Sequence, residues 1–173
     1  MSATVAPNGG AVASGHRSEA HALFNPAFMA LLLARYVQGH EEVQNETPAP
    51  YFLAHIALPM AVNSTVQDRL TYNIASLLGT WSNSNPDLLA NLPEQIAALQ
   101  IHTQAGISFA LRHRIVAADG AGFRSIAKAV GAMPKARDEQ DLARCQRTAR
   151  YLGRWFARTN DVAVISALIG VRP

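Results

Sequence analysis

Two opposed stripes run along the segment from Asp138 to Phe156, which the spacing predicts to be one helix ending near Asn160. Apolar side chains recur at steps of three and four residues on one side: Leu142, Cys145, Ala149, Leu152 and Phe156. Arginines recur at the same steps on the other side: Arg144, Arg147, Arg150, Arg154 and Arg158. At about 100° per residue these arginines fall in one arc, with Tyr151 and Trp155 at its edge. We expect the apolar stripe to face a core and the arginines to face something negatively charged.

The front of the chain predicts buried helices. Asn25-Pro26 combines a favoured N-cap with proline at the first helical position, and predicts a helix that ends at Gly39. The apolar run from Tyr51 to Leu58, which stops at Pro59, fits either a buried strand or a short buried helix. We favour a helix, because alanine and histidine interrupt the run and Pro50 suits a first turn.

Further helices are predicted between residues 63 and 112 and at the C-terminus. Asn63-Ser64 indicates the cap of a helix that continues to Trp81. Asn85-Pro86 predicts a short helix through Leu89, and Leu92-Pro93 opens a longer one to about Arg112. A last apolar segment follows residue 160 and stops before Gly170.

The β signal is a hairpin. Two apolar runs, residues 115–118 and 123–126, flank the Gly-rich turn Asp119-Gly120-Ala121-Gly122. Helices followed by a hairpin is the order of a winged helix-turn-helix. The predicted fold class is therefore mainly α with minor β: a helical domain with a winged-helix-like hairpin and a long C-terminal amphipathic helix.

Composition and the distribution of charge limit the possible domain organisation and the possible partners. Residues 1–17 are rich in Gly, Ala and Ser and predict a flexible N-terminal arm, while residues 18–173 predict a single domain. Residues 1–111 carry three basic against seven acidic side chains, a net −4, and residues 112–173 carry twelve against five, a net +7. The C-terminal third of the chain is therefore basic and the preceding two thirds are mildly acidic. This uneven distribution indicates a surface for an anionic partner, either nucleic acid or an acidic protein surface.

The low content of charged residues also indicates that a partner binds this chain. Charged residues make up 16% of the chain, against about a quarter in a typical soluble domain. A partner that covers part of the surface would explain this value, and so would high alanine content. The start of the chain resembles neither a signal peptide nor a membrane anchor, which predicts a cytoplasmic protein that does not bind membranes.

Residues for catalysis or metal binding are not found in a usable pattern. One cysteine excludes an internal disulfide, and its place on the apolar stripe predicts an inert core thiol. The six histidines show no HExxH pair, and the phosphate-loop and nucleophile-elbow motifs are absent. We therefore expect no catalytic residue, no metal site, no cofactor and no small-molecule substrate.

The arginine stripe remains as the candidate site, with three interpretations open. It can be a solvated face, a protein interface or a nucleic-acid contact. Arginine beside large aromatic side chains is typical of interface hot spots and of phosphate contacts. The candidate contact residues are Arg144, Arg147, Arg150, Tyr151, Arg154, Trp155 and Arg158.

Several stretches together resemble the middle component of bacterial ABC three-component systems. The matching stretches are Asn25–Phe28 with Leu31–Leu33, Pro50–Pro59, Leu77–Pro86, Tyr151-Leu152-Gly153-Arg154-Trp155-Phe156-Ala157 and Gly170-Val171-Arg172-Pro173. The resemblance covers nearly the whole chain beyond Arg17, and its specific portions are the last two stretches.

The resemblance implies a small non-enzymatic adaptor with a winged-helix-like module. Such a subunit binds an SMC-like ABC ATPase and links it to an effector subunit, for example a nuclease, in a complex similar to SMC-type anti-phage defence complexes. DNA would then be reached through the complex. The alternative is a stand-alone winged-helix DNA-binding regulator, which predicts a homodimer. Its recognition helix, around Pro93 to Arg112, lacks basic residues until its end.

Overall fold

The computed structural model describes residues 25–132 and 141–172, and all structural statements refer to these ranges. Eight helices lie within them: α1 (Pro26–Glu41), α2 (Tyr51–Val62), α3 (Ser64–Arg69), α4 (Leu78–Ser84), α5 (Pro86–Ala98), α6 (Gln100–Arg112), α7 (Asp141–Thr159) and α8 (Val162–Ile169). Three short strands accompany them: β1 (Ala49–Pro50), β2 (Val116–Asp119) and β3 (Gly122–Ser125). The predicted fold class, mainly α with minor β, is confirmed.

Helix α1 is the centre of the packing. It makes its most extensive contacts with α7 and the next most extensive with α6, while α2 also packs against α7. Because α1 has partners on separate sides, apolar residues are buried around most of its circumference, including Met29, Leu32, Leu33 and Tyr36. Its start agrees with the prediction, since the Asn25 side chain accepts a hydrogen bond from the amide of Ala27 at 2.9 Å.

The predicted end of α1 at Gly39 is wrong, because this glycine serves close helix packing. A Cβ atom at Gly39 would lie 2.1 Å from the carbonyl oxygen of Arg150, and one at Gly153 would lie 2.0 Å from that of Tyr36. Both distances are far shorter than an ordinary contact. The backbones of α1 and α7 therefore touch directly, and the helix continues past Gly39 to Glu41.

The helix predicted from Tyr51 is confirmed, but it does not stop at Pro59. Proline inside a helix deprives the carbonyl four residues earlier of its hydrogen bond, and here that carbonyl belongs to His55. The side-chain amide of Gln100 donates to it at 3.1 Å and also to the carbonyl of Ile96 at 3.2 Å. This compensation from a distant residue allows α2 to continue to Val62.

The long helix predicted from Asn63 to Trp81 is wrong, because it is divided by a loop of residues 70–77, which we call the α3–α4 loop. Asn63 does cap α3, accepting from the amide of Val66 at 3.0 Å. Within the loop the Asn73 side chain accepts from the amide of Ala75 at 3.0 Å. Such local side-chain hydrogen bonds compete with helical ones and favour a turn.

The boundary between α5 and α6 also differs from the prediction. Pro93 lies inside α5 instead of opening a new helix, and the break falls at Leu99. The end of α6 at Arg112 agrees with the prediction.

The predicted hairpin is confirmed and gains a third strand. Strands β2 and β3 pair antiparallel, with Ala117 opposite Arg124 and Asp119 opposite Gly122, around a turn of Gly120 and Ala121. The two-residue strand β1 pairs with β3, which gives the sheet order β1-β3-β2.

The predicted last segment is α8, capped by the Asp161 side chain at its start and by Gly170 in the left-handed conformation at its end. The predicted N-terminal arm, residues 1–17, lies outside the described residues, as do Asp138 and Glu139 at the start of the predicted long helix. No helix in the described ranges is both long enough and apolar enough to cross a membrane.

Candidate functional site

The apolar stripe of α7 faces the core, as predicted. Cys145, Ala149, Leu152 and Phe156 are buried, and Leu142 is half-buried. Burial raises the pKa of the Cys145 thiol to about 11, although the Gln67 side chain donates a hydrogen bond to its sulfur at 3.3 Å. A buried thiol that stays protonated at neutral pH is a poor nucleophile.

Tyr151 and Trp155, which the sequence pattern placed at the edge of the contact surface, are both largely buried and pack in the core. Tyr151 is 5% exposed and Trp155 is 1% exposed. The indole nitrogen of Trp155 donates to the carbonyl of Ser76 at 2.7 Å, and its ring meets that of Trp81 edge-on at 5.7 Å. The Tyr151 hydroxyl donates to the carbonyl of Asn73 at 3.3 Å. Both side chains hold the α3–α4 loop against α7.

The five arginines of α7 lie on the opposite side, and we call Arg144, Arg147, Arg150, Arg154 and Arg158 the arginine surface. Arg144 pairs with Asp68, and Arg150 and Arg154 share Glu42 at 2.6 and 3.6 Å. Arg158 is exposed, and its side chain forms no hydrogen bond or ion pair with another described residue. Such partly exposed pairs contribute about 0–1 kcal/mol each, so they do not by themselves account for a row of five arginines.

The α3–α4 loop supplies the apolar side chains that border this surface. Tyr72 is 43% exposed and Leu77 is 68% exposed. One depression of about 310 Å³ is lined by Tyr72, Arg147, Arg150, Tyr151 and Arg154. The aromatic residue that is exposed beside these arginines is Tyr72, whereas the sequence pattern indicated Tyr151 and Trp155, of which Tyr151 lines the depression but is 5% exposed.

The conformation of Tyr72 is held by α7. Its φ of 52° lies in the left-handed region, which a bulky residue rarely adopts. Its hydroxyl forms a hydrogen bond with the Thr148 hydroxyl at 2.8 Å, and its ring lies 5.1 Å from that of Tyr151. Residues in such conformations cluster at functional sites. The hydrophobic pattern did not indicate Tyr72, although the neighbouring Asn73 is a turn-forming residue that could have indicated the loop.

Arg35 of α1 is a second residue that sequence reasoning missed. It is 4% exposed and donates to Gln146 at 3.2 Å and to the carbonyls of Gly131 and Ala132 at 2.9 and 3.0 Å. Burial, and then the positive charge of Arg150, lower the pKa of Arg35. Arg35 therefore adds positive potential near Arg150 of the arginine surface and ties α1 to α7.

The arrangement is suited to binding. It offers guanidinium donors, an exposed tyrosine and an exposed leucine on one helix and the loop beside it. In the parts of the chain that the structure describes, no group of three His, Cys, Asp or Glu side chains could hold a metal ion.

The comparison with protein families agrees with the resemblance carried by the sequence. A sequence model of the family described as ABC-three component (ABC-3C) system Middle Component 3 matches residues 14–173. No curated protein and no solved structure matches the chain.

Proposed function

The chain belongs to the Middle Component 3 family of ABC-three component systems, and we propose that it is a non-enzymatic adaptor subunit. In this proposal it links an SMC-like ABC ATPase to an effector in a bacterial anti-phage defence complex. A component of a multi-protein system needs surfaces that bind the other components. The arginine surface is the surface that we assign to docking.

The observation that carries this proposal is the combination of arginine with exposed apolar residues on a rigid support. Tyrosine and arginine are enriched at interfaces and among binding hot spots. The helix beneath them is fixed by direct backbone contact with α1 at Gly39 and Gly153. A surface held in this way loses little side-chain and backbone freedom on binding, which favours affinity.

The order of the elements supports a winged-helix-like module within the adaptor. A first helix is followed by a short strand, further helices and a hairpin, and the short strand pairs with the second strand of that hairpin. A winged helix has the same order, with α6 in the position of the recognition helix. Helices α3 to α5 would then be an insertion.

The alternative, a stand-alone winged-helix DNA-binding regulator, is disfavoured by the surface of α6. Its one arginine is Arg112 at the C-terminal end, and its most exposed large hydrophobic side chain is Ile101, at 70%. Phosphate contacts come mainly from lysine and arginine, so a recognition helix that carries no lysine or arginine before its last residue is poorly suited to DNA.

Co-expression with the ABC ATPase of the same system tests the proposal. We expect a stable complex that co-elutes in size-exclusion chromatography and that Arg147→Glu with Arg154→Glu disrupts. The matched control is Arg112→Glu with Arg114→Glu, which makes the same change of charge at exposed positions at the end of α6. The control should still form the complex.

The outcomes separate the two functions. A chain that never co-elutes with the ATPase refutes the adaptor. DNA binding that is lost on changing Arg112 and Arg114, and kept on changing Arg147 and Arg154, supports the regulator instead. Circular dichroism checks that each variant folds, since unfolding of the Arg147 and Arg154 variant would mean that these side chains have a structural role.

A further inference from the structure

An apolar depression lies where α7, α8 and the α3–α4 loop meet. Leu77 and Val164, which are 68% and 44% exposed, line it together with Leu168. Gly79 also lines it, and a Cβ atom added there would meet Leu168 Cδ2 at an ordinary contact distance of 4.0 Å. The depression encloses about 210 Å³, and we call it the Leu77 pocket.

The Leu77 pocket adjoins the C-terminal end of the arginine surface. Arg158 lines the pocket itself, and Arg154 lies one helical turn before it. Glu42 is shared between Arg150 and Arg154, so this group of three charges keeps a net +1. Arg158 adds a further positive charge. The C-terminal end of the arginine surface is therefore positively charged, and it lies directly beside the apolar side chains of the Leu77 pocket.

We propose that the Leu77 pocket receives a bulky apolar side chain from an acidic segment of the partner protein, whose carboxylates meet Arg154 and Arg158. This inference rests on the proposed adaptor function and names the chemistry of the docked segment. Neighbouring exposed apolar side chains within a polar rim are typical of protein interaction sites. Complementary charge fixes the orientation of such a segment and accelerates its association.

The same residues argue against nucleic acid at this position. Glu42 and Asp68 place carboxylates among the arginines, and these would repel phosphates. Single-stranded nucleic acid is usually bound by stacking its bases on aromatic side chains. Apart from Arg158, the exposed side chains that line the pocket are aliphatic, and its aromatic lining residue, Trp155, is only 1% exposed, so the pocket provides no such platform.

The test is a binding measurement between the purified chain and the purified ABC ATPase of the same system. Leu77→Ser with Val164→Ser should weaken binding by about tenfold or more, as for other residues at the centre of an interface. The matched control Ile101→Ser changes an equally exposed aliphatic residue on α6 and should leave the affinity unchanged. Arg158→Glu should also weaken binding and make it less sensitive to salt, because it removes an attractive charge pair.

Each outcome decides between the possibilities. If the wild-type chain binds the ATPase and the Leu77 and Val164 variant binds as tightly, the inference is overturned while the adaptor function stands. If the wild-type chain does not bind, both fail. If a double-stranded DNA fragment displaces the ATPase and loses its own affinity on Arg158→Glu, the surface binds nucleic acid and the inference is wrong. Thermal unfolding verifies the fold, and Leu77→Ser alone replaces the pair if the pair unfolds.

Discussion

Replacing Gly153 by alanine is the sharpest test of how α7 is held. In an ordinary helix interior, glycine to alanine stabilises by about 0.5–1 kcal/mol, because alanine loses less conformational freedom on folding. At Gly153 the added Cβ would lie 2.0 Å from the carbonyl oxygen of Tyr36 and 2.9 Å from the amide nitrogen of His40. Both are backbone atoms, so no side-chain rotation can relieve the overlap.

The structure gives the size of the effect. An ordinary contact needs about 3.5 Å, so α1 and α7 would have to separate by roughly 1 Å or more along their shared face. Forcing extra volume into a packed core costs about 1–3 kcal/mol, and sometimes more. We expect Gly153→Ala to destabilise by at least this amount in spite of the gain in helix propensity. For a chain of this size each kcal/mol corresponds to about 2–4 °C in Tm.

Urea denaturation followed by circular dichroism measures the change, and Gly79→Ala is the matched control. Gly79 is also helical, but the nearest atom to an added Cβ is Leu168 Cδ2 at 4.0 Å. Because Gly79 is the second residue of α4, we expect Gly79→Ala to stabilise by at most about 0.5–1 kcal/mol. If Gly153→Ala is as stable as Gly79→Ala, the direct contact between the two helices does not exist and the argument for a rigid arginine surface fails.

Three further predictions follow from buried groups of the core. Trp155→Ala should lower the free energy of unfolding by about 3–5 kcal/mol, whereas Ile101→Ala should change it little because Ile101 is 70% exposed; urea titrations compare the two. Burial lowers the pKa of His40 in the folded chain from its ordinary value of 6.5. Below pH 6.5 the unfolded chain therefore binds more protons than the folded chain, and the free energy of unfolding falls as the pH drops. The loss is about 1.4 kcal/mol for each pH unit between the pKa of the unfolded chain and that of the folded chain. His40→Gln should flatten this loss between pH 7 and 5 in the same titrations. Burial raises the pKa of Cys145 to about 11, so at pH 8 Ellman's reagent should label the native thiol much more slowly than the thiol of the urea-unfolded chain; equal rates would contradict the burial.

Periodicity predicted those parts of the fold that depend on local sequence. The cap at Asn25, the hairpin around Gly120 and the apolar stripe of α7 agree with the structure because each follows from spacing within one element. The side chains of the arginine surface were also placed on the correct side of α7. What this surface binds was left open by the sequence and stays a prediction.

Contacts between distant residues decided the rest. Glycine and proline often end helices, but Gly39 lies inside α1 and Pro59 lies inside α2. The backbone of Arg150 packs directly against Gly39, and the Gln100 side chain replaces the hydrogen bond that Pro59 removes. Tyr151 and Trp155 lay at the edge of the arginine arc, where spacing along one helix cannot say whether another segment covers them. The α3–α4 loop covers both.

The buried aromatic residues connect the core of the chain to its candidate docking surface. Tyr151 and Trp155 bind the backbone of the α3–α4 loop, and this loop carries Tyr72 and Leu77 at the surface. A conservative change such as Trp155→Phe should therefore weaken ATPase binding without altering any exposed residue, because the loop would lose its hydrogen bond at Ser76. Leu77→Ser in the Trp155→Phe background tests this connection. If the two effects act through one docked loop, they should fall short of additivity, whereas fully additive losses of affinity would mean that Trp155 acts on binding independently of Leu77. An unchanged affinity of the Trp155→Phe variant would mean that Trp155 supports the fold alone.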